Sequence, residues 1–240
     1  MELEERAADP LAGGLQQGYQ CGMLWGAVLA AGAQAYRLWG ASPQAQAKAI
    51  DASQKIVESF HAQNKNINCL EITQVDLSSP TMRMVARYLI KSGAKGSCFG
   101  MAARSASAAL REINYTFSEN HFHAPIAPVS CATVLAQKIG ASELHGVMAS
   151  GFAGGIGLSG GACGALGAAI WIRGMRLLEQ GGTVGFKASY TSDIIDKFVA
   201  NSDYEFECAK IVGRKFESID DHADYVRAGG CSKIIDTLAT

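Results

Sequence analysis

Three observations predict a mainly α-helical protein built by internal duplication. Apolar residues recur at helical spacing behind clear start signals, no run alternates cleanly with period two, and a Gly/Cys segment occurs twice. Ser42-Pro43 is a cap followed by proline at the first helical position, where the missing N–H is not needed. Ala49, Ile50, Ile56, Val57 and Phe60 then recur at helical spacing. Ser79-Pro80 opens a second segment with Met84, Val85, Tyr88 and Leu89 on one face, ending near Gly93. Ser218 with Asp221 forms a capping arrangement ahead of Ala223, Tyr225 and Val226, and Gly229-Gly230 stops that helix. Thr183 to Tyr190 reads as a short strand or an ordered loop.

The duplication rests on two matching segments in the same order. Gly18-x-x-Cys21-Gly22-x-Leu24-x-Gly26-Ala27 aligns without a gap on Gly160-x-x-Cys163-Gly164-x-Leu166-x-Ala168-Ala169. Downstream, Ile56-Val57-x-x-Phe60 precedes Cys69, as Ile194-Ile195-x-x-Phe198 precedes Cys208. The expectation is a single globular domain over 1–240, with repeat halves at 14–75 and 124–236 packed around shared elements. Small residues recur every fourth position in both copies: Gly18, Gly22 and Gly26, then Gly160, Gly164 and Ala168. On a helix these share nearly one face and allow a close approach of another backbone or a rigid inorganic group.

Composition bounds the function. With 240 residues, 48% hydrophobic and 18% charged, the chain can bury a real core and is not disordered. A net charge of −1 offers no basic excess for a nucleic acid. Residues 10–36 and 144–172 lack Asp, Glu, Lys and Arg, but several glutamines interrupt the first and a glycine-rich turn the second. Both read as buried parts of a protein outside the membrane. Met1 to Arg6 has neither a basic nor an apolar leader region, so a cytoplasmic location with reduced thiols is expected.

The seven cysteines are therefore read as metal ligands or redox groups more readily than as a disulfide frame. No Cys-x-x-Cys occurs, which removes the compact ferredoxin, zinc-finger, thioredoxin and haem-attachment spacings. Any single free cysteine can simply be a small buried hydrophobe. Three sit beside glycine, in Cys21-Gly22, Cys163-Gly164 and Gly230-Cys231, where backbone N–H groups can reach sulfur. Among competing signals, Gly155-x-Gly157-x-x-Gly160 fits the dinucleotide fingerprint but lacks a preceding β-branched run. His121 and His123 read as an exposed loop, and His222 as solvated within a charged cap region. Asp220, Asp221, Asp224 and Arg227 read as helix surface, and no hydrolytic Ser–His–Asp set is present.

Ser130-Cys131-Ala132, then Gly151 to Gly157, then Cys163-Gly-Ala-Leu-Gly-Ala168, then Phe206-Glu-Cys208 and Gly230-Cys231 follow one another in a distinctive order. That order resembles the redox-active family named for its C…GCAxxG…C…C signature, over residues 124 to 236 and more weakly over 14 to 75. The family is similar to part of the split-Soret cytochromes, which are dimeric and carry an iron–sulfur site besides their haems. A literal Gly-Cys-Ala is absent, since Cys131 follows Ser130 and Cys163 follows Ala162, and no haem motif is carried over.

The resemblance implies a homodimer and a redox-active cysteine site built from Cys131, Cys163, Cys208 and Cys231. Cys98 is the next candidate ligand. Cys21 either joins through the pseudo-symmetry or packs in the core, and Cys69 reads as structural. Thiolate suits iron–sulfur and zinc alike, but ligands this scattered favour an iron–sulfur cluster, of unspecified nuclearity, over zinc. Gly154, Gly155, Gly157 and Gly164 would supply backbone N–H groups and close packing, with Trp25 and Trp171 either shielding the site or filling the core. The expected function is electron transfer or reduction of an unidentified partner. Alternatives are a cluster-dependent enzyme acting on a small substrate and a zinc-stabilised or thiol-based binding protein.

Overall fold

A computed structural model describes residues 2–79, 81–96, 98–119 and 126–240. The regular elements among them are helical, and extended pairing is limited to two isolated antiparallel bridges, Gln20 with Asn68 and Ala162 with Glu207. The first half runs α1 (Glu2–Ala7), α2 (Gly22–Trp39), α3 (Pro43–Asn64), α4 (Cys69–Thr73), α5 (Met82–Gly96) and α6 (Cys98–Ser118). The second begins with α7 (Cys131–Lys138) and continues α8 (Glu143–Ser150), α9 (Gly164–Glu179), α10 (Ser189–Val199), α11 (Cys208–Val212), α12 (Ile219–Arg227) and α13 (Ser232–Leu238). In order, α8 to α13 correspond to α1 to α6, which is the duplicated helical architecture expected.

The start signals act as their chemistry requires. Ser42 Oγ accepts from the Ala45 N–H at 3.1 Å ahead of α3, and Ser218 Oγ accepts from the Asp221 N–H at 3.1 Å ahead of α12. Gly229, at φ 83°, ends the α12 segment in a conformation other residues avoid. Thr183 to Ala188 is a loop leading into α10. Pro80 lies outside the described residues, and on the apolar face predicted for α5 Leu89 is 57% exposed while Met84 and Tyr88 are half-buried.

The two halves interlock through their small residues. The long helix of each packs on the short helix of the other, α2 on α8 and α9 on α1. Gly32 and Gly174 hold the same place in α2 and α9 and make this possible. A Cβ on Gly32 would stand 2.5 Å from Met148 Cα, and one on Gly174 would stand 3.2 Å from Ala7 O. The fourfold glycine spacing has another meaning than a continuous helix face. Gly18 and Gly160 lie ahead of the two long helices, at φ 83° and 81°, and α2 and α9 begin only at Gly22 and Gly164.

The main hydrophobic cluster draws on both halves, including Leu15, Trp25, Phe152, Ile156, Leu166 and Trp171, all essentially inaccessible. Both indoles satisfy their N–H, Trp25 on Gln20 O at 3.1 Å and Trp171 on Glu4 O at 3.0 Å. The buried Lys48 ammonium donates to Thr116 O and Glu119 O at 2.9 and 3.0 Å, capping the C-terminal end of α6. No helix among the described residues is long and apolar enough to cross a membrane.

Candidate functional site

Each half builds the same backbone device. A run of consecutive residues adopts left-handed backbone: Gly13, Gly14, Leu15 and Gln16 at φ 68, 64, 60 and 61°, and Gly154, Gly155, Ile156, Gly157 and Leu158 at φ 61, 79, 64, 54 and 58°. Two residues in each run are not glycine, and each of those costs about 1–2 kcal/mol in this conformation. Complete burial of Leu15 and Ile156 offsets that cost. The chain then turns at Gly18 or Gly160 and enters a bridge. Cys21 N–H donates to Ile67 O at 2.8 Å while Cys69 N–H donates to Tyr19 O at 2.6 Å. In the second half Cys163 N–H donates to Phe206 O at 2.8 Å and Cys208 N–H to Gly161 O at 2.6 Å. The bridge thus clamps two cysteines, each at a helix start, beside one another.

In the second half two more cysteines join this pair. Cys131 opens α7 and Cys231 caps α13. Burial raises the Cys131 thiol well above its ordinary value, and the charges of Cys231, Cys163 and Cys208 raise it further. Cys208 is pushed up by burial and by Cys163 and Cys231. Cys231 is pushed up to about 12 by burial and by Cys163. Burial raises Cys163 too, against the N–H groups of Leu166 and Ala165, which favour its thiolate. The Gly154 N–H plays the same part for Cys131. The four sequence-predicted cysteines therefore sit within electrostatic reach of one another.

The first half assembles a smaller set. Cys69 is pushed up to about 11 by burial and by the charges of Cys21 and Cys98. Cys21 is raised by burial and by Cys98, against the Met23 N–H. Tyr88 Oη stands 3.2 Å from Cys98 Sγ. The structure thus places Cys98 with Cys21 and Cys69, and Cys69 holds the position that Cys208 holds in the other half. Among the described residues, no three His, Cys, Asp or Glu side chains converge closely enough to hold a single metal ion. All seven cysteines are free thiols.

The buried amide of Gln20 joins the two devices. Its Nε2 donates to Gly155 O at 3.0 Å, and its Oε1 accepts from the Ala162 N–H at 2.8 Å. Tyr19 stacks on Phe206 with ring centroids 5.1 Å apart, tying the same two turns. Sequence reasoning missed Gln20, and its counterpart Ala162 carries no signal that could have marked it. The left-handed turns were visible in part: the gapless register extends back from Gly18 and Gly160 to Gly13 and Gly155.

The predicted glycines divide by role. Gly157 spends its N–H on Gly151 O at 2.9 Å within the turn. A Cβ on Gly155 would meet Gly161 O at 2.4 Å, one on Gly157 would meet Gln54 N at 2.6 Å, and one on Gly164 would meet Phe152 O at 1.9 Å. Close backbone packing accounts for all three. His222 is corrected outright: it is buried at 1% exposure, with Nδ1 3.1 Å from Val129 O and its ring edge-on to Phe216. The charged residues beside it misled the reading, because they occupy the opposite face of α12. Gly155-x-Gly157-x-x-Gly160 follows helix α8, so the strand a dinucleotide fingerprint needs is missing there. His121 and His123 lie outside the described residues.

The family described as "Putative redox-active protein (C_GCAxxG_C_C)" matches this chain twice, over residues 2–112 and 129–240. The two matches divide the chain as the two bridge devices do. Comparison with curated proteins and with solved structures gave no match.

Proposed function

Because this chain belongs to the C_GCAxxG_C_C family of redox-active proteins and carries the family's pattern twice, we propose that it is an iron–sulfur redox protein that transfers electrons to a partner. Cys131, Cys163, Cys208 and Cys231 would hold the cluster. One observation carries this reading. Four thiols converge from four helix starts, and each is made harder to ionise by burial, three of them also by one another. Four such thiolates are tolerable only around positive charge, so metal binding and deprotonation are coupled here. Bound there, the group would supply one-electron chemistry, its potential tuned by N–H bonds to sulfur and by burial. The Gly154, Ala165 and Leu166 N–H groups are placed to do the tuning.

The same chemistry extends to Cys21, Cys69 and Cys98 as a second, three-thiol set, with Tyr88 hydrogen-bonded to Cys98. We further read the two interlocked halves as one folding unit and the chain as a homodimer in a reducing cytoplasm. Met82 and Ile90 on α5 are each 84% exposed and suit a subunit contact. Sedimentation equilibrium tests the dimer.

The deciding experiment is iron and acid-labile sulfide content, with an absorption spectrum, on protein purified without oxygen. Iron with equal sulfide, lost on replacing Cys131, Cys163, Cys208 or Cys231 singly, supports the reading. Absence of iron after reconstitution, with zinc in its place, removes it. Iron content also separates one site per chain from two.

A further inference from the structure

The two thiol sets carry tyrosines in corresponding places, and the two hydroxyls do different things. Tyr88 stands on α5 and Tyr225 on α12, the helix that precedes the last cysteine of each set. Tyr88 is within electrostatic reach of Cys98 and Cys69, and Tyr225 of Cys231 and Cys208. Tyr88 Oη stands 3.2 Å from Cys98 Sγ and also faces the Cys98 backbone N–H. The oxygen accepts from that N–H, and its own proton is left for sulfur. A metal-bound thiolate has no proton to give, so the bond then runs from the Tyr88 hydroxyl to Cys98. Tyr225 Oη instead donates to Gly230 O at 3.2 Å, and its proton is withheld from Cys231.

A second difference is charge. Among the described residues, four thiols gather in the second half and three in the first. Fewer thiolates and a hydrogen bond to sulfur both favour the form that carries one more electron. A contact path joins the two sets. Tyr19 O accepts from the Cys69 N–H, Phe206 O accepts from the Cys163 N–H, and the two rings stack with centroids 5.1 Å apart.

With both sets taken as cluster ligands, the reading on which this rests, we propose that Tyr88 makes the first-half set the more easily reduced of the two. The chain is then a two-centre relay in which electrons come to rest beside Cys98. In each transfer one electron leaves the group held by Cys131, Cys163, Cys208 and Cys231, which is oxidised, and reduces the group held by Cys21, Cys69 and Cys98. No proton moves, and Tyr88 keeps its own. A one-electron donor protein refills the second half.

The test is a redox titration of the full-length, iron-loaded protein without oxygen, followed by visible absorption and electron paramagnetic resonance. The parent should show two reduction steps. Tyr88→Phe keeps the ring and removes the bond to sulfur. At a fixed potential it should lower the reduced-to-oxidised ratio of the more positive step about tenfold, a shift of about 59 mV to the negative, and leave the other step in place. Tyr225→Phe should move neither step. A fluorotyrosine in place of Tyr88, a stronger donor of nearly the same shape, should shift the more positive step the other way, and it decides the matter if Tyr88→Phe does not load with iron. A single centre per chain, lost in Cys163→Ser and kept in Cys69→Ser, overturns the relay and leaves the iron–sulfur reading intact. So does a full iron complement in Tyr88→Phe with both potentials unmoved, or with the more negative step moved instead. Protein that takes up no iron after reconstitution overturns both together.

Discussion

Replacing Gln20 by leucine keeps the size of the side chain and removes both hydrogen bonds that join the two cysteine devices. Ala162 N–H, which donates to Gln20 Oε1 at 2.8 Å, would be left without a partner in the interior, while Gly155 O loses the Gln20 amide at 3.0 Å but keeps the Ser159 hydroxyl. The orphan costs about 1–3 kcal/mol and the other lost hydrogen bond about 1 kcal/mol, and the apolar gain from leucine recovers part of the sum. The expected loss is about 1–3 kcal/mol, a fall in Tm of roughly 3–12 °C for a protein of this size. Urea unfolding of the metal-free protein measures it, as a lower midpoint at constant m. Exposed Gln17, replaced in the same way, is the control and should change stability by less than about 0.5 kcal/mol. A Gln20→Leu variant as stable as the parent would mean that the turns are not held together through this amide. If the Gln20 link also aligns the thiols, the variant should bind less iron than Gln17→Leu under identical reconstitution.

His222 supplies a pH test. Burial lowers its pKa to about 4, so the unfolded chain takes up its proton first as pH falls. Its contribution is complete above pH 6.5 and is lost between 6.5 and 4, about 3 kcal/mol in all; His222→Phe should flatten that part of the stability profile. Gly32→Ala should destabilise by at least about 2 kcal/mol, since its Cβ would press on the Met148 backbone, whereas Gly26→Ala should be neutral or stabilising by thermal melt. Thiol titration of the metal-free, reduced protein should give at most two fast-reacting groups, Cys98 and Cys231, because the other five are buried; all seven should react in denaturant. Early reaction of Cys163 or Cys208 would contradict the burial of the second-half site.

The helices, the duplication and four cysteines of the second half were all legible in the chain. Helix starts are local chemistry: a serine at the cap and a proline in the first turn act on neighbours within four residues. The duplication leaves residue identities at a constant offset. Where each cysteine packs was legible only in part. Cys69 looked like core because its pairing with Cys21 is made by the Gln20–Asn68 bridge, between segments almost fifty residues apart. Cys98 was joined in sequence reasoning to the second-half set, but α6 packs on α2 and α3 and carries it to the first.

The sequence by itself determined where helices begin, that the protein is built twice from one pattern, and that it is rich in cysteine. Those properties follow from local backbone preferences and from composition. Tertiary structure alone decided which thiols stand near one another, that Gln20 bonds the two turns, and that His222 faces inward. Each depends on contacts between residues distant in the chain. Burial and electrostatic reach are set by the packing of whole helices, and no local pattern encodes them.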